Sequence, residues 1–180
     1  MERRKLYGGD FLKVTLSRLA QQLVENYGDF SEAVLIGLQP RGIFFTQRLH
    51  DRLQALTGTD LPVGALDITF YRDDFRRRDA PLSANTTEIP FIIEDKRVVL
   101  VDDVLYTGRT VRAALDAMTA YGRPRAVELL VLVDRKYSRQ LPIDPQYVGR
   151  RVNTLSSQRI QVEWREQGHQ HDAIWLIEKE

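Results

Sequence analysis

The sequence predicts an α/β fold in which a mostly parallel central sheet is flanked by helices. Short continuous apolar runs at residues 33–38, 97–101 and 126–133 are typical of strands that are covered on both faces. Segments with the apolar periodicity of helices separate these runs, and such alternation indicates a parallel sheet. The 180 residues match one domain that spans residues 1–180, because domains hold roughly 100–200 residues.

Three helices are expected between the strands. The first begins at Asp10 and ends near residue 28, with Leu12, Leu16, Leu19 and Leu23 on one face. The second opens at Gly42. The third follows Thr107–Gly108 and closes at Gly122 and Pro124.

Further strands are expected on either side of this core. Residues 62–70 are predicted to form one strand. Residues 160–162 and 173–177 are predicted to be edge strands or an antiparallel pair. Because ligands of parallel sheets bind beyond the carboxyl ends of the strands, residues 39–42, 102–110 and 134–136 are the candidate binding tips.

Composition excludes several classes of chemistry. Apolar residues make up 43% and charged residues 28%, and there is no cysteine. The sequence therefore lacks disulfides, thiolate metal ligands and cysteine nucleophiles, which agrees with a cytoplasmic location. No apolar run approaches the roughly 18 residues that a membrane span needs, and no apolar signal core follows the charged start.

A net charge of +1 conceals an uneven distribution. Between Gly108 and Arg151 there are nine basic and four acidic residues, a local excess of five positive charges. This basic band is a candidate surface for phosphates, and a solvated arginine-rich surface is the alternative interpretation.

The segment with the clearest chemistry is residues 98–110. An apolar strand leads to Asp102 and Asp103, and a loop then enters a helix through the sequence Thr-Gly-Arg-Thr at residues 107–110. Backbone N–H groups at a helix start bind anions, and Gly108 allows close approach of the backbone. A ribose 5-phosphate would offer hydroxyls to the carboxylates and its phosphate to the loop. The alternative makes the acids turn residues and Thr107 a helix cap.

This segment resembles the phosphoribosyl pyrophosphate (PRPP) signature of the type I phosphoribosyltransferases. The wider sequence resembles one family among them, PyrR, whose members are pyrimidine operon attenuation proteins with uracil phosphoribosyltransferase activity. The resemblance extends from about residue 10 to residue 162 and is weakest in the last 18 residues. The matching stretches are residues 62–69, 71–74, 101–113, 122–124 and 131–135.

The resemblance implies a type I phosphoribosyltransferase fold with a small hood and a flexible loop at about residues 71–90. Asp102 and Asp103 would hold the ribose hydroxyls. Arg72 would reach the pyrophosphate, Arg135 the pyrophosphate or the base, and Ile160 would lie near the base. The expected substrate-binding residues also include Pro40, Arg41, Gly42, Val104, Leu105, Tyr106, Thr107, Gly108, Arg109 and Thr110.

Two of these expectations depend on local chemistry. Related proteins often have a residue with an N–H group where this chain has Pro40, and proline cannot donate, so Arg41 and Gly42 would carry the pyrophosphate contact. A simple strand-to-helix turn is the alternative there. The run Arg76-Arg77-Arg78 lies further out in the loop and is expected only to keep it solvated.

The expected reaction joins uracil and PRPP to give UMP and pyrophosphate, with Mg²⁺ carried by the substrate phosphates. No metal ligands and no general base are assigned. Nucleotide-dependent binding of a leader mRNA stem-loop, governed by UMP or UTP, is the expected second activity. A purine phosphoribosyltransferase and an RNA-binding regulator with little catalysis are the alternatives. No membrane partner is expected. The chain is expected to form a homodimer or a higher homo-oligomer.

Overall fold

The computed structural model describes residues 2–73 and 83–178, which form two β-sheets and three α-helices. The larger sheet has five parallel strands in the order β3-β2-β4-β5-β6. Its strands are β2 (Ala33–Leu38), β3 (Val63–Leu66), β4 (Arg97–Leu105), β5 (Ala126–Lys136) and β6 (Tyr147–Asn153).

The helices cover both faces of this sheet. They are α1 (Gly9–Tyr27), α2 (Gly42–Thr57) and α3 (Arg109–Met118). Successive strand residues enter different cores, because neighbouring side chains of a strand point to opposite faces. Leu35 and Val99 pack with α1 and α2, whereas Ile36 and Leu100 pack with α3. Burial on both faces explains why the central strands are continuous apolar runs.

A second, antiparallel sheet has the order β1-β8-β7 and is called the hood sheet below. It contains β1 (Arg3–Gly8), β7 (Gln158–Glu163) and β8 (Ala173–Glu178). Buried residues of β7 and β8, including Ile160 and Ile174, share one apolar cluster with α1, α2 and the inner face of β4 and β5. The hood sheet therefore packs on the parallel sheet through a common core.

The predicted fold class is confirmed, as are the three helices, strand β2 and the antiparallel pairing of β7 with β8. The strand expected at residues 62–70 is wrong in extent, because β3 ends at Leu66 and a 3-10 turn occupies Thr69–Tyr71. β4 and β5 continue past their apolar runs, to Leu105 and Lys136, because they remain paired with each other and β5 also pairs with β6. Strands β1 and β6 were not predicted.

No helix in the described part of the chain combines the length and the apolar character that crossing a bilayer requires.

Candidate active site

Two adjacent carboxylates lie where β4 loses one of its neighbours. The pairing of β2 with β4 ends at Gly37 and Val101, so Asp102 is the first residue of β4 beyond it, although β4 still pairs with β5 there. Asp102 and Asp103 are 7% and 6% exposed. The backbone N–H of Asp103 donates to Oδ1 of Asp102 at 2.9 Å. The acids thus lie inside a strand, at the point where one of its two edges is no longer paired.

The environment of this acid pair disfavours two negative charges. Burial raises the pKa of Asp102 well above its usual value, and the neighbouring charge of Asp103 raises it further. Burial also raises the pKa of Asp103. The positive charge of Arg41 opposes both shifts. A cation or a set of hydroxyl donors beside the pair would therefore stabilise its ionised form.

The loop from Gln39 to Gly42 lies beside the acid pair. A cis peptide bond joins Gln39 to Pro40, and α2 begins two residues later at Gly42. A Cβ placed on Gly42 would lie 2.6 Å from the carbonyl oxygen of Val101, so only glycine brings the start of α2 this close to β4. Arg41 is exposed at the N-cap position of α2. The structure therefore brings the predicted Arg41 and Gly42 next to Asp102.

The predicted phosphate loop follows the acid pair and connects β4 to α3. Gly108 has a φ of 93°, in the left-handed region that favours glycine, and its carbonyl oxygen accepts the first helical hydrogen bond from the N–H of Arg112 at 3.0 Å. The first N–H groups of a helix lack intrahelical partners. The chain from Val104 to Thr110 consequently curves around the N-terminus of a ten-residue helix, which favours an anion.

A segment that the sequence did not single out braces this loop from outside. The N–H groups of Gln140 and Leu141 donate to the carbonyl oxygen of Thr107 at 3.0 and 3.3 Å. The guanidinium of Arg139 donates to the carbonyl oxygen of Tyr106 at 2.5 Å and to Oδ1 of Asp134 at 2.6 Å. The backbone of the phosphate loop is thereby fixed to the end of β5.

Arg135 is buried, with 3% of its surface exposed. Its guanidinium lies 3.8 Å above the ring of Tyr106 and donates to Oγ1 of Thr154 at 2.8 Å and to the carbonyl oxygen of Leu155 at 3.2 Å. It therefore links the phosphate loop to the segment that enters the hood sheet. Its predicted contact with pyrophosphate or base stays a prediction.

Ile160 lies at the centre of β7, paired with Leu176 of β8, and is 6% exposed. Strand β7 contacts β4, so this part of the hood sheet lies against the strand that carries the acid pair. A role for Ile160 next to the base stays a prediction.

The predicted flexible loop is described only at its two ends. At its start, Asp73 pairs with Arg109, and the carbonyl oxygen of Tyr71 accepts from Arg112 at 3.5 Å. At its end, Glu88 forms a two-hydrogen-bond bridge with Ala65 of β3. The start of the loop is thus tied to α3 and its end to β3. Arg72 is half-buried beside Asp73, and the run at residues 76–78 lies outside the described residues.

The basic band does not form one face. Arg123 and Arg125 lie just before β5, whereas Lys136 ends it, and the 11 residues of β5 span about 36 Å. Several arginines of the band already have partners within the protein. Arg125 pairs with Glu32, Arg151 pairs with Asp134, and Arg150 stacks on Phe11. At the site end of β5, Lys136 is exposed and Tyr137 is 93% exposed.

Within residues 2–73 and 83–178, no group of three or more histidine, aspartate or glutamate side chains is arranged to hold a metal ion. His169 lies 3.8 Å from Glu163, and His50 lies 3.1 Å from Asp60. Both histidines have acidic neighbours outside the site described above.

Comparison with known proteins gives a consistent result. The phosphoribosyl transferase domain family matches residues 11–167. Proteins called bifunctional protein PyrR are similar over nearly the whole chain: the one from Listeria welshimeri is 42% identical over 172 residues, covering 94% of this chain and 93% of its own. The one from Gloeothece citriformis is 47% identical over 158 residues, covering 88% of each chain.

Solved structures agree at the level of the fold. The hypoxanthine phosphoribosyltransferase of Trypanosoma cruzi superimposes with a TM-score of 0.71 at 17% identity, over 98% of this chain and 97% of that one. A hypoxanthine phosphoribosyltransferase from Staphylococcus aureus gives a TM-score of 0.70 at 20% identity, over 95% and 90% of the two chains.

Proposed function

Because the chain belongs to the PyrR family of phosphoribosyl transferases, we propose that it transfers the phosphoribosyl group of PRPP to uracil, giving UMP and pyrophosphate. The observation that carries this proposal is the juxtaposition of two buried carboxylates, Asp102 and Asp103, with a loop that runs directly into the N-terminus of α3. A ribose with a 5-phosphate presents hydroxyls and an anion at matching positions.

The ribose 5-phosphate is held from two sides. The carboxylates of Asp102 and Asp103 accept hydrogen bonds from the ribose hydroxyls, in addition to the backbone N–H of Asp103 that already donates to Asp102. Backbone N–H groups and hydroxyls of residues 104–110 bind the 5-phosphate at the helix start. The hydrogen bonds from Arg139 to Tyr106 and from Gln140 and Leu141 to Thr107 keep these donors in place before the substrate arrives.

The pyrophosphate lies on the side of α2. Pro40 has no N–H group, so the N–H groups of Arg41 and Gly42 and the guanidinium of Arg41 bind it. Arg72, at the start of the 71–90 loop, adds a second positive charge when the loop covers the substrate. Mg²⁺ arrives as part of the substrate, because this ion keeps water ligands and binds through phosphates.

The transition state develops positive charge on the ribose as the bond from C1 to pyrophosphate loosens. Ionised Asp102 and Asp103 stabilise that charge, and Arg41 and Arg72 stabilise the charge on the leaving pyrophosphate. The same positive ribose favours the ionised form of the acid pair, whose pKa burial raises in the free protein. The protein therefore catalyses the reaction by positioning the reactants and by stabilising separated charges.

The base lies under the hood sheet, with Ile160 supplying an apolar contact and Arg135 at the junction of the hood with the phosphate loop. Phosphoribosylation assayed in parallel with uracil, hypoxanthine, guanine and orotate tests the assignment. We expect turnover with uracil. Turnover with a purine alone would contradict the uracil assignment while leaving the transferase assignment intact.

The second function of the protein is regulation of pyrimidine genes through leader RNA. Tyr137 and Lys136 carry this proposal, because an exposed aromatic ring beside a positive charge is the combination on which unpaired RNA bases stack. Both residues lie at the site end of β5, where a bound nucleotide can influence them. A gel-shift assay with the leader of the pyrimidine operon tests this. We expect a shift that UMP strengthens and that salt weakens, and no shift with or without UMP would refute it.

The chain acts as a single domain over residues 1–180, in the cytoplasm, and as a homodimer or higher homo-oligomer. Light scattering coupled to size-exclusion chromatography tests the assembly: a mass at or above twice 20.8 kDa is expected, and a monomer at micromolar concentration would contradict it.

A further inference from the structure

Arg48, in the middle of α2, binds two carboxylates of the hood at once. Its Nε and Nη2 donate to the two carboxylate oxygens of Glu166, both at 2.7 Å. Its Nη1 and Nη2 donate to the two oxygens of Asp172 at 2.7 and 2.9 Å. Both contacts are bidentate, the geometry in which an arginine fixes orientation as well as distance.

An aromatic contact completes this arrangement. The guanidinium carbon of Arg48 lies 4.5 Å from the ring centroid of Trp164, and that ring stacks on Phe45, one helical turn earlier on α2. Trp164 is 3% exposed. The planar arginine is thus held between a buried ring and two carboxylates, so that neither a rotation nor a shift of the hood is possible without breaking several contacts.

The two acids lie in the connection between strands β7 and β8 of the hood sheet. Glu166 lies in the turn that follows β7, and Asp172 immediately precedes β8. Hydrogen bonds from Arg48 hold the pKa of Glu166 below its usual range. Burial would raise the pKa of Asp172, but the hydrogen bonds from Arg48 and from the N–H of Arg165 hold it low. Both carboxylates are therefore ionised partners of Arg48 at neutral pH.

The opposite end of β7 is fixed by a different arginine. Arg135 of β5 donates to Thr154 and Leu155, just before β7 begins at Gln158. Strand β7, with Ile160 near its centre, is therefore fixed at one end to β5 and at the other end to α2. Arg135 also contacts Tyr106 and so connects this end of β7 to the phosphate loop, whereas Arg48 connects the other end to α2.

The start of α2 belongs to the pyrophosphate side of the site. Gly42 packs against Val101 and Asp102, and Arg48 lies six residues along the helix, about 9 Å from Gly42. A helix of 16 residues with a buried face transmits position over this distance as a rigid body. The Arg48 contacts consequently set the hood sheet relative to the groups that hold the ribose and the pyrophosphate.

We propose that Arg48 is a positioning residue for the base: by binding Glu166 and Asp172 it fixes the hood sheet over the acid pair and so sets the distance between the base and the ribose. This inference rests on the proposed transferase function. Arg48 does not touch the substrate, and the effect of its loss falls on binding and orientation of the base rather than on binding of PRPP.

The test compares Arg48→Met with the wild type in steady-state kinetics with uracil and PRPP varied in turn. Methionine keeps the apolar contact with Trp164 and removes all four hydrogen bonds. We expect the KM for uracil to rise about tenfold, because a small displacement of the base from its bound geometry weakens its contacts. We expect the KM for PRPP to change by less than about twofold. Arg48→Lys, which keeps the charge but not the bidentate geometry, recovers part of the uracil KM.

The matched control is Arg52→Ala, which removes an exposed arginine one turn later on the same helix. It leaves both KM values unchanged. Loss of folded protein lowers kcat without altering either KM, so the split between the two KM values separates positioning from a merely structural role. If Arg48→Met does not fold, Glu166→Ala replaces it, because the side chain of Glu166 is 46% exposed and Asp172 still binds Arg48. A smaller rise in the uracil KM is then expected.

An unchanged uracil KM in a folded Arg48 or Glu166 variant would overturn the inference. A wild-type protein that uses a purine and not uracil would instead overturn the proposed substrate. In that case the Arg48 variants must raise the KM for the purine. Failure of the Arg48 inference and failure of the uracil assignment therefore remain distinguishable.

Discussion

The first residue of α2, Gly42, packs directly on the backbone of Val101 in β4. A Cβ on Gly42 would lie 2.6 Å from the carbonyl oxygen of Val101 and 3.2 Å from Cα of Asp102. Both of these atoms are backbone atoms, so neither can rotate away. The distance between the loop at residues 39–42, proposed to bind pyrophosphate, and the acid pair is thus set by the absence of a methyl group on Gly42.

Gly42→Ala therefore separates α2 from β4. We expect the KM for PRPP to rise at least tenfold and the free energy of unfolding to fall by about 1–3 kcal/mol, the usual cost of overpacking. Steady-state kinetics and urea unfolding measure the two effects. Gly9→Ala is the control, since a Cβ there would be 3.8 Å from its nearest neighbours. Equal PRPP affinity in Gly42→Ala would show that the close approach is not needed.

Asp103→Asn removes a charge at the proposed ribose site without changing the shape of the side chain. We expect kcat/KM to fall by about 10² to 10³-fold or more, the usual loss when one electrostatic stabiliser of a transition state is removed. Circular dichroism should show an intact fold. Asp144→Asn, at an exposed position in the loop before β6, is the control and keeps full activity. Retained turnover in Asp103→Asn would mean that the ribose binds elsewhere.

Asp102→Asn should make the protein more stable at neutral pH although it is less active. Burial and the charge of Asp103 raise the pKa of Asp102 in the folded state, so stability falls as the pH rises from the ordinary pKa of an aspartate to that raised value, and the full cost remains above it. At acid pH the carboxyl is protonated in both folded and unfolded chains, and the cost vanishes.

The melting temperature of Asp102→Asn should therefore exceed that of the wild type at pH 7–8, by about 2–4 °C for each kcal/mol. The difference should shrink as the pH falls and be lost below about pH 4, near the ordinary pKa of an aspartate. Thermal unfolding at a series of pH values measures this. A variant that melts below the wild type at every pH would show that Asp102 is stabilised by contacts in the free protein.

Arg139→Ala should loosen the phosphate loop. Arg139 supplies hydrogen bonds to the carbonyl oxygens of Tyr106 and Ile143 as well as to Asp134. Leaving such groups without partners costs about 1–3 kcal/mol. We expect the KM for PRPP to rise about tenfold and the uracil KM to change less. Arg125→Ala, at the far end of β5, should leave both unchanged. An unaltered KM for PRPP would show that the hydrogen bonds from Gln140 and Leu141 to Thr107 hold the loop shape without Arg139.

The central part of the fold was predictable because its signals are local. The run at residues 33–38 is buried along its whole length, and the sequence Asp-Asp followed by Thr-Gly-Arg-Thr is contiguous in the chain. Strand β1 was missed because its side chains are charged and exposed over its first half, and it is a strand only through its pairing with β8. Strand β6 was missed for a similar reason, since Arg150 and Arg151 interrupt its apolar pattern at the sheet edge.

The supporting arginines of the site were not predictable. Arg48 contacts Glu166 and Asp172, and Arg139 contacts Tyr106. These partners are distant in sequence, and no local spacing marks such contacts. Arg48 does carry one weak signal: it lies three residues after Phe45 and one before Leu49, on the apolar side of an amphipathic helix. A charged residue at such a position indicates a partner brought by another element, but it does not say which one.

The pairing of β1 with β8 has a consequence for how the protein is made. Arg3 lies opposite Ile177, so the first described strand finds its partner only when the last one has left the ribosome. The parallel sheet, from β2 to β6, can assemble from segments already synthesised, whereas contacts between such distant segments form slowly. A nascent chain therefore acquires the elements proposed to hold the sugar phosphate before it can acquire those proposed to hold the base. The base selectivity proposed for the hood sheet therefore forms later in synthesis than the proposed sugar-phosphate site.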